Sequence, residues 1–194
     1  MNSNKKTIRE TMLNKRGQLS NDEIIVKSNS IAKHLYNTTY YNNSNFIMTY
    51  INFRKEVITK GIIQNSLKKG KDIGVPITVP KSRKLIVSQL KDFEKELKLG
   101  FYNILTPKKE YIREVEPSSI DLVLVPGAGF DKRGYRIGYG GGYYDTFFTT
   151  LNKDAIKIGL AFQMQIMDKV PNEDHDIPVN FIITENGLIK CYNV

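Results

Sequence analysis

The residues best suited to chemistry lie between Pro126 and Phe148, a run reading Pro-Gly-Ala-Gly-Phe-Asp-Lys-Arg-Gly-Tyr-Arg-Ile-Gly-Tyr-Gly-Gly-Gly-Tyr-Tyr-Asp-Thr-Phe-Phe. Seven of the 14 glycines fall between Gly127 and Gly142. Glycine costs backbone entropy on folding, so that density needs a reason. One reason is close approach: without Cβ atoms, the N–H groups around Gly138, Gly140, Gly141 and Gly142 can reach a phosphate. A helix beginning at Tyr143-Tyr144-Asp145 would point its free N–H groups at the same anion. Arg136 brings a fixed fork of donors for phosphate oxygens. Asp145, in the first turn of that helix, can hold Mg²⁺ where the metal bridges phosphates. The pattern is neither a Gly-x-x-x-x-Gly-Lys-Ser/Thr loop nor a Gly-x-Gly-x-x-Gly turn. Taken alone, the glycines also suit a tight turn on a sheet, and Asp145 an ordinary first-turn acid.

Other candidates are scattered. Lys5 and Arg9 stand four apart among good helix formers and so share a face, with Arg16 two turns further along it. A solvated basic helix end is the competing reading. Glu56 by itself reads as a plain helix N-terminal acid, and Asn172-Glu173-Asp174-His175-Asp176 as a solvated acidic loop. His34, His175 and Cys191 are too far apart to make a zinc set. No Gly-x-Ser-x-Gly occurs, which removes the commonest serine-hydrolase cue.

These groups need elements to position them. A helix is expected over about Lys5 to Lys15, before Gly17. Ser20-Asn21-Asp22-Glu23 is a capping box opening a second helix, whose Ile24, Ile31 and Leu35 repeat at helical spacing through about Tyr36. Phe46–Tyr50 reads as a buried strand. Val57–Leu67 reads as a helix stopped by Lys68-Lys69-Gly70, and Ile73–Val75 as a strand closed by Pro76. Further strands are expected at Leu85–Leu90, Ile120–Val125, Ala155–Phe162 and Phe181–Thr184. Strands separated by helices predict an α/β fold: a single three-layer domain over 1–194 with a mostly parallel sheet flanked by helices. Ligands in such sheets sit beyond the strand carboxyl ends, which directs attention to the loop after Val125.

The bulk composition sets outer bounds. At 194 residues, 40% hydrophobic and 25% charged, the chain can bury a core without disulfides, and its single Cys191 cannot form an internal one. No apolar run reaches the roughly 18 residues of a membrane span, and the polar start lacks a secretory core. A soluble, cytoplasmic protein is expected. The formal charge of +9 would attract anions. Its lysines come in short groups (Lys68-Lys69, Lys108-Lys109) rather than one stripe, so a solvated surface accounts for most of them.

The run from Pro126 through Phe130-Asp131, Gly134 and Arg136 to Asp145 resembles the signature of the 5-formyltetrahydrofolate cyclo-ligase, or methenyltetrahydrofolate synthetase, family. The resemblance extends over nearly the whole chain. It implies ATP and Mg²⁺ as cofactors: ATP phosphorylates the N5-formyl oxygen, N10 attacks the activated carbon, and phosphate leaves. It implies Arg136 and Tyr143 as catalytic. ATP would be bound by Lys5, Lys6, Arg9, Arg136, Ile137, Gly138, Tyr139, Gly140, Gly141, Gly142, Tyr143 and Tyr144. Folate would lie against Ile51, Glu56, Tyr102, Tyr139, Gly140, Gly141, Gly142 and Tyr143. The Glu56 carboxylate would accept two parallel hydrogen bonds from the pterin. Asp145 and Asp176 would be the metal ligands, with Asp174 the alternative to Asp176. The chain departs from many members in having Thr106 before Pro107, and it has no Trp for the folate pocket, where Tyr102 or Phe101 would stack instead. The implied partner is 5-formyltetrahydrofolate, with or without a polyglutamate tail, bound by a monomer with no nucleic acid or membrane partner. Two rivals stand beside this reading: another α/β enzyme holding a sugar phosphate or coenzyme A ester on the loop, and a basic nucleic-acid-binding module.

Overall fold

The computed structural model describes residues 3–79, 82, 84–100 and 104–192. In chain order the helices and strands are α1 (Ser3–Gly17), α2 (Asn21–Tyr36), α3 (Thr39–Asn43), β1 (Phe46–Thr49), α4 (Lys60–Lys68), β2 (Asp72–Val79), β3 (Lys84–Leu90), β4 (Leu97–Leu99) and β5 (Leu105–Pro107). There follow β6 (Glu114–Val115), β7 (Leu122–Val125), β8 (Gly129–Asp131), β9 (Arg136–Ile137), α5 (Tyr143–Phe148), β10 (Ile156–Leu160), β11 (Ile166–Met167), β12 (Phe181–Thr184) and β13 (Gly187–Lys190).

Local chemistry starts α2 where the sequence announces it. The Ser20 hydroxyl accepts the Glu23 N–H at 3.2 Å, and the Ser20 N–H donates back to the Glu23 carboxylate at 2.7 Å. Two otherwise orphaned N–H groups are thereby satisfied at the start of α2. Its buried Ile24, Ser28, Ile31 and Leu35 then repeat every three to four residues.

The central sheet runs β13-β12-β10-β7-β1-β2-β3-β6. The strands from β12 to β2 are parallel, and β13, β3 and β6 close the edges antiparallel. Because successive side chains of a strand point to opposite faces, β7 feeds two cores. Leu122 and Leu124 pack with Ile31 of α2 and Ile62 of α4, while Val123 and Val125 pack with Phe130 of β8 and Phe147 of α5. A strand covered on both faces reads as an unbroken apolar run, as Leu-Val-Leu-Val does. The mostly parallel sheet between helices expected from the sequence is present.

Several boundaries differ from the sequence reading: β7 begins at Leu122 rather than Ile120, and the expected Lys5–Lys15 helix spans Ser3–Gly17. β2 does not stop at Pro76 but continues to Val79. β1 bonds β2 only as far as Gly74, so at Pro76, opposite Val87 of β3, the strand has one neighbour and tolerates a missing N–H. α4 starts at Lys60 rather than Val57. The preceding turn is held down instead: Val57 is buried and the Thr59 hydroxyl donates to the Tyr50 carbonyl at 2.7 Å. β10 is confined to Ile156–Leu160.

One glycine of the rich segment is structural. Gly134, in the β8–β9 turn, has φ +89°, and a Cβ there would lie 2.3 Å from the Val179 carbonyl. Gly134→Ala is expected to destabilise the fold by about 2 kcal/mol or more, read as a lower urea midpoint at unchanged slope.

Candidate active site

A cleft of about 820 Å³ opens beyond the carboxyl ends of β1 and β7, a size suited to a substrate-sized ligand. Its walls are the start of α1, the loop after β1, the segment from Arg136 to Asp145, and the loop from Glu173 to Asp176. Residues 171 positions apart in the chain meet here: the Lys5 Nζ donates to Asp176 Oδ2 at 2.7 Å and pairs with Glu173 at 3.2 Å. Burial opposes charging both partners, but their mutual hydrogen bond and the neighbouring groups outweigh it. Lys5 is held above the ordinary lysine value and Asp176 below the ordinary carboxylate value. The pair is therefore ionised at neutral pH.

Arg136 and Asp145, read from the sequence as separate phosphate and metal groups, are bonded to one another. Arg136 Nη2 donates to Asp145 Oδ1 at 2.9 Å, and Nη1 donates to the Ile177 carbonyl at 2.7 Å. Asp145 Oδ1 also accepts the Ile177 N–H at 3.0 Å. The guanidinium lies over the Phe148 ring, 4.8 Å from its centroid. β9 and α5 are thus tied to the loop that carries Asp176. Asp145 Oδ2 and Asp176 Oδ1 accept no hydrogen bond among the described residues.

Arg9 reaches across the cleft from α1, its Nε donating to the Gly138 carbonyl at 2.6 Å. That bond turns the carbonyl toward α1. Among the described residues, the N–H groups from Gly138 to Gly142 have no acceptor within hydrogen-bond reach. Gly142 caps α5 with φ +68°, a conformation that favours glycine. Tyr143 lines the cleft with its ring laid on Gly141, where a Cβ would come within 2.5 Å of it.

Glu56, also in the cleft wall, is buried and accepts the Phe53 N–H on Oε2 at 2.8 Å. The Tyr139 hydroxyl donates to Oε1. Burial pushes the Glu56 carboxyl above its ordinary value, with Tyr139, the Phe53 N–H and Arg16 pulling it back part of the way. The Tyr139 phenol is itself pushed up, chiefly by burial and then by the Glu56 charge.

Ile51, Ile137, Tyr139, Gly140 and Tyr144 also line the cleft, as expected. Lys6 does not: its side chain is 68% exposed, facing Glu10 one turn along α1 at 4.0 Å, so the structure leaves this expected ATP contact outside. Asp174 is likewise exposed and absent from the lining, whereas Asp176 is in it. Tyr102 and Phe101 lie outside the described residues. The sequence reading does not foresee Phe53, Pro76, Thr78, Leu85 and Ile104 in the cleft wall, nor the parts of Arg16 and Arg54. Arg16 shares the Lys5–Arg9 face, but nothing in the spacing said that it is buried against Tyr139. Arg54 lines the cleft with φ 51°, a left-handed conformation uncommon outside glycine, for which the sequence carries no signal.

Fold and cleft together define an α/β enzyme that binds at the carboxyl edge of its parallel strands. The chain belongs to the 5-formyltetrahydrofolate cyclo-ligase family, whose model matches residues 1–185. It is similar to the 5-formyltetrahydrofolate cyclo-ligase of Mus musculus, at 30% identity over 96% of this chain and 96% of the mouse protein. A probable 5-formyltetrahydrofolate cyclo-ligase of Caenorhabditis elegans is 27% identical over 95% of this chain and 94% of its own. Among solved structures, the NMR structure of Aquifex aeolicus 5,10-methenyltetrahydrofolate synthetase superposes with a TM-score of 0.84 at 26% identity, covering 98% of this chain and 94% of that one.

Proposed function

We propose that the chain, as one domain over 1–194, catalyses the ATP-dependent cyclisation of 5-formyltetrahydrofolate to 5,10-methenyltetrahydrofolate, releasing ADP and phosphate. The observation that carries this reading is the pairing of two kinds of group in one cleft. Its walls carry Lys5, Arg9, Arg136 and the N–H groups from Gly138 to Gly142, which have no acceptor among the described residues, and they also carry a buried carboxylate, Glu56. Donors suit a triphosphate, and an acceptor suits the amino and ring N–H groups of a pterin.

In this reading Lys5, Arg9 and the loop amides bear phosphate charge. Arg136 adds the N–H groups that Asp145 and Ile177 leave unused. Tyr143 lines the place where the formyl oxygen meets the γ-phosphorus. There the formyl oxygen takes the phosphoryl group and ADP departs. N10 then bonds to the formyl carbon, the C–O bond breaks to release phosphate, and N10 gives up its proton. The protein's share is positioning and charge neutralisation, as in other phosphoryl transfers. Ile137 and Tyr144, which also line the cleft, would meet the nucleotide beside the loop.

A magnesium ion would be held where the phosphates sit, by Asp145 and Asp176, each of them also ion-paired, to Arg136 and Lys5. Mg²⁺ is held by one or two carboxylates with substrate phosphates completing its shell, and Asp145 and Asp176 each keep one oxygen without a hydrogen bond. Held there, it would neutralise charge on the transferred phosphoryl group.

The reading also includes a monomer in the cytoplasm, acting on a small molecule rather than on nucleic acid or membrane. No described helix is long and apolar enough to cross a membrane. The +9 charge would favour a polyglutamate tail on the folate.

The test is the near-ultraviolet absorbance of methenyltetrahydrofolate during incubation with 5-formyltetrahydrofolate. It should rise only when ATP and Mg²⁺ are both present; a flat trace with both would overturn the proposal. Gly138→Ala refines it. No heavy atom lies within 4 Å of a Cβ at Gly138, so the variant should keep its urea midpoint. It should nonetheless raise the KM for ATP about tenfold by crowding a phosphate. An unchanged KM would remove the phosphate from that amide.

A further inference from the structure

Arg16 is 3% exposed, and among the described residues its hydrogen bonds go to neutral groups. Nη1 donates to the Gly127 carbonyl at 3.4 Å and Nη2 to the Tyr139 hydroxyl at 3.1 Å. A guanidinium taken out of water without a carboxylate in contact is costly, so its place in the core calls for a return elsewhere. The Gly127 carbonyl is a firm anchor, because Gln165 Nε2 also donates to it at 2.9 Å. Tyr139 is not firm by itself: its residue is 50% exposed, and Gly138 and Gly140 flank it. Its hydroxyl carries the connection onward to Glu56.

The result is a directed chain from the end of β7 to the buried carboxylate. Arg16 occupies a lone pair of the phenol oxygen, which leaves the phenol proton free to point only at Glu56. Donation by a cation also polarises the O–H and strengthens the next bond. Lys5 and Arg9, on the same face of α1, join the groups read as meeting phosphate. One helix thus serves both kinds of group in the cleft.

We propose that Arg16 is a positioning residue for folate binding, holding the Tyr139 hydroxyl on Glu56 and so fixing the carboxylate that meets the pterin. This rests on the reading of Glu56 as the pterin acceptor. Arg16 does not touch the substrate; it acts through Tyr139.

The test is a double-mutant cycle of Arg16→Ala and Tyr139→Phe on the dissociation constant of 5-formyltetrahydrofolate, measured by calorimetry without nucleotide. Each single variant should weaken folate binding about tenfold, and the double variant should be no weaker than the worse single one. The KM for ATP should stay within about twofold for Arg16→Ala. Additive losses, or equal losses for folate and ATP, would overturn the proposal, since a general loss of packing produces those. If Arg16→Ala does not fold, Arg16→Lys replaces it in the cycle. It keeps the charge but loses the fork, and its folate deficit should also vanish in the Tyr139→Phe background. Glu56→Gln separates the two levels: unchanged folate binding in that variant sinks the pterin reading itself, whereas weakened binding with an additive cycle sinks only the role of Arg16.

Discussion

Arg136→Ala and Asp145→Asn are each expected to lower kcat by about 10²- to 10³-fold, the usual consequence of removing one fixed donor or charge from a transition-state site. The geometry explains why both should matter. Arg136 holds Asp145 Oδ1 at 2.9 Å and the Ile177 carbonyl at 2.7 Å, so it orients the carboxylate as well as facing the cleft. Without the guanidinium, Asp145 keeps only the Ile177 N–H at 3.0 Å on that oxygen. The stability cost is smaller. Losing charge-assisted hydrogen bonds here should cost about 1–3 kcal/mol, or ~2–4 °C of melting temperature per kcal/mol in a chain of this size. Both variants should therefore be folded at 25 °C, and the deficit in activity is then not unfolding. For Asp145→Asn the deficit should be partly relieved by raised Mg²⁺, whereas Arg136→Ala should respond less. Near wild-type turnover in both variants would remove the pair from the mechanism.

Glu56→Gln carries the second large effect, and its sign for stability is opposite to its sign for function. A charged acceptor contributes about 1.5–3 kcal/mol to a hydrogen-bonded pair, so the variant should raise the KM for 5-formyltetrahydrofolate about 10- to 150-fold with the KM for ATP little changed. Burial raises the Glu56 pKa in the folded state. Between the ordinary value of 4.5 and that raised value, the folded chain binds more protons than the unfolded chain. Stability contributed by this group therefore falls as pH rises through the window. Glutamine has no such dependence. The difference in urea midpoint between Glu56→Gln and the unaltered chain should accordingly move in the variant's favour as pH rises through the window. Parallel pH profiles, together with an unchanged folate KM, would show that Glu56 is neither strained nor used.

The local record of the sequence was legible wherever one short stretch carries its own signal. The Ser20–Glu23 box opens α2 because the two residues satisfy each other's backbone without help from elsewhere. The apolar run Ile120–Val125 reads as a strand, and its Leu122–Val125 is one, buried throughout because both its faces are covered. Boundaries were misread where a neighbour decides. Pro76 ends nothing because β1 has already left β2 by that point. Val57 begins no helix because the turn is pulled onto the Tyr50 carbonyl.

Residue types and spacing were enough for the α/β class, the main strands and helices, the glycine-rich approach to α5 and the family, but gave no α3, β4, β5, β6, β8, β9, β11 or β13. What they did determine follows from signals within one stretch, which tertiary contacts do not rewrite. Only the tertiary structure decided how the charges are partnered: Lys5 with Asp176, Arg136 with Asp145, Arg9 on the Gly138 carbonyl, and Arg16 on Tyr139 and so toward Glu56. The physical reason is range. Backbone preference acts over a few residues, whereas a buried charge takes whichever partner packing brings within about 3 Å, however distant in the chain.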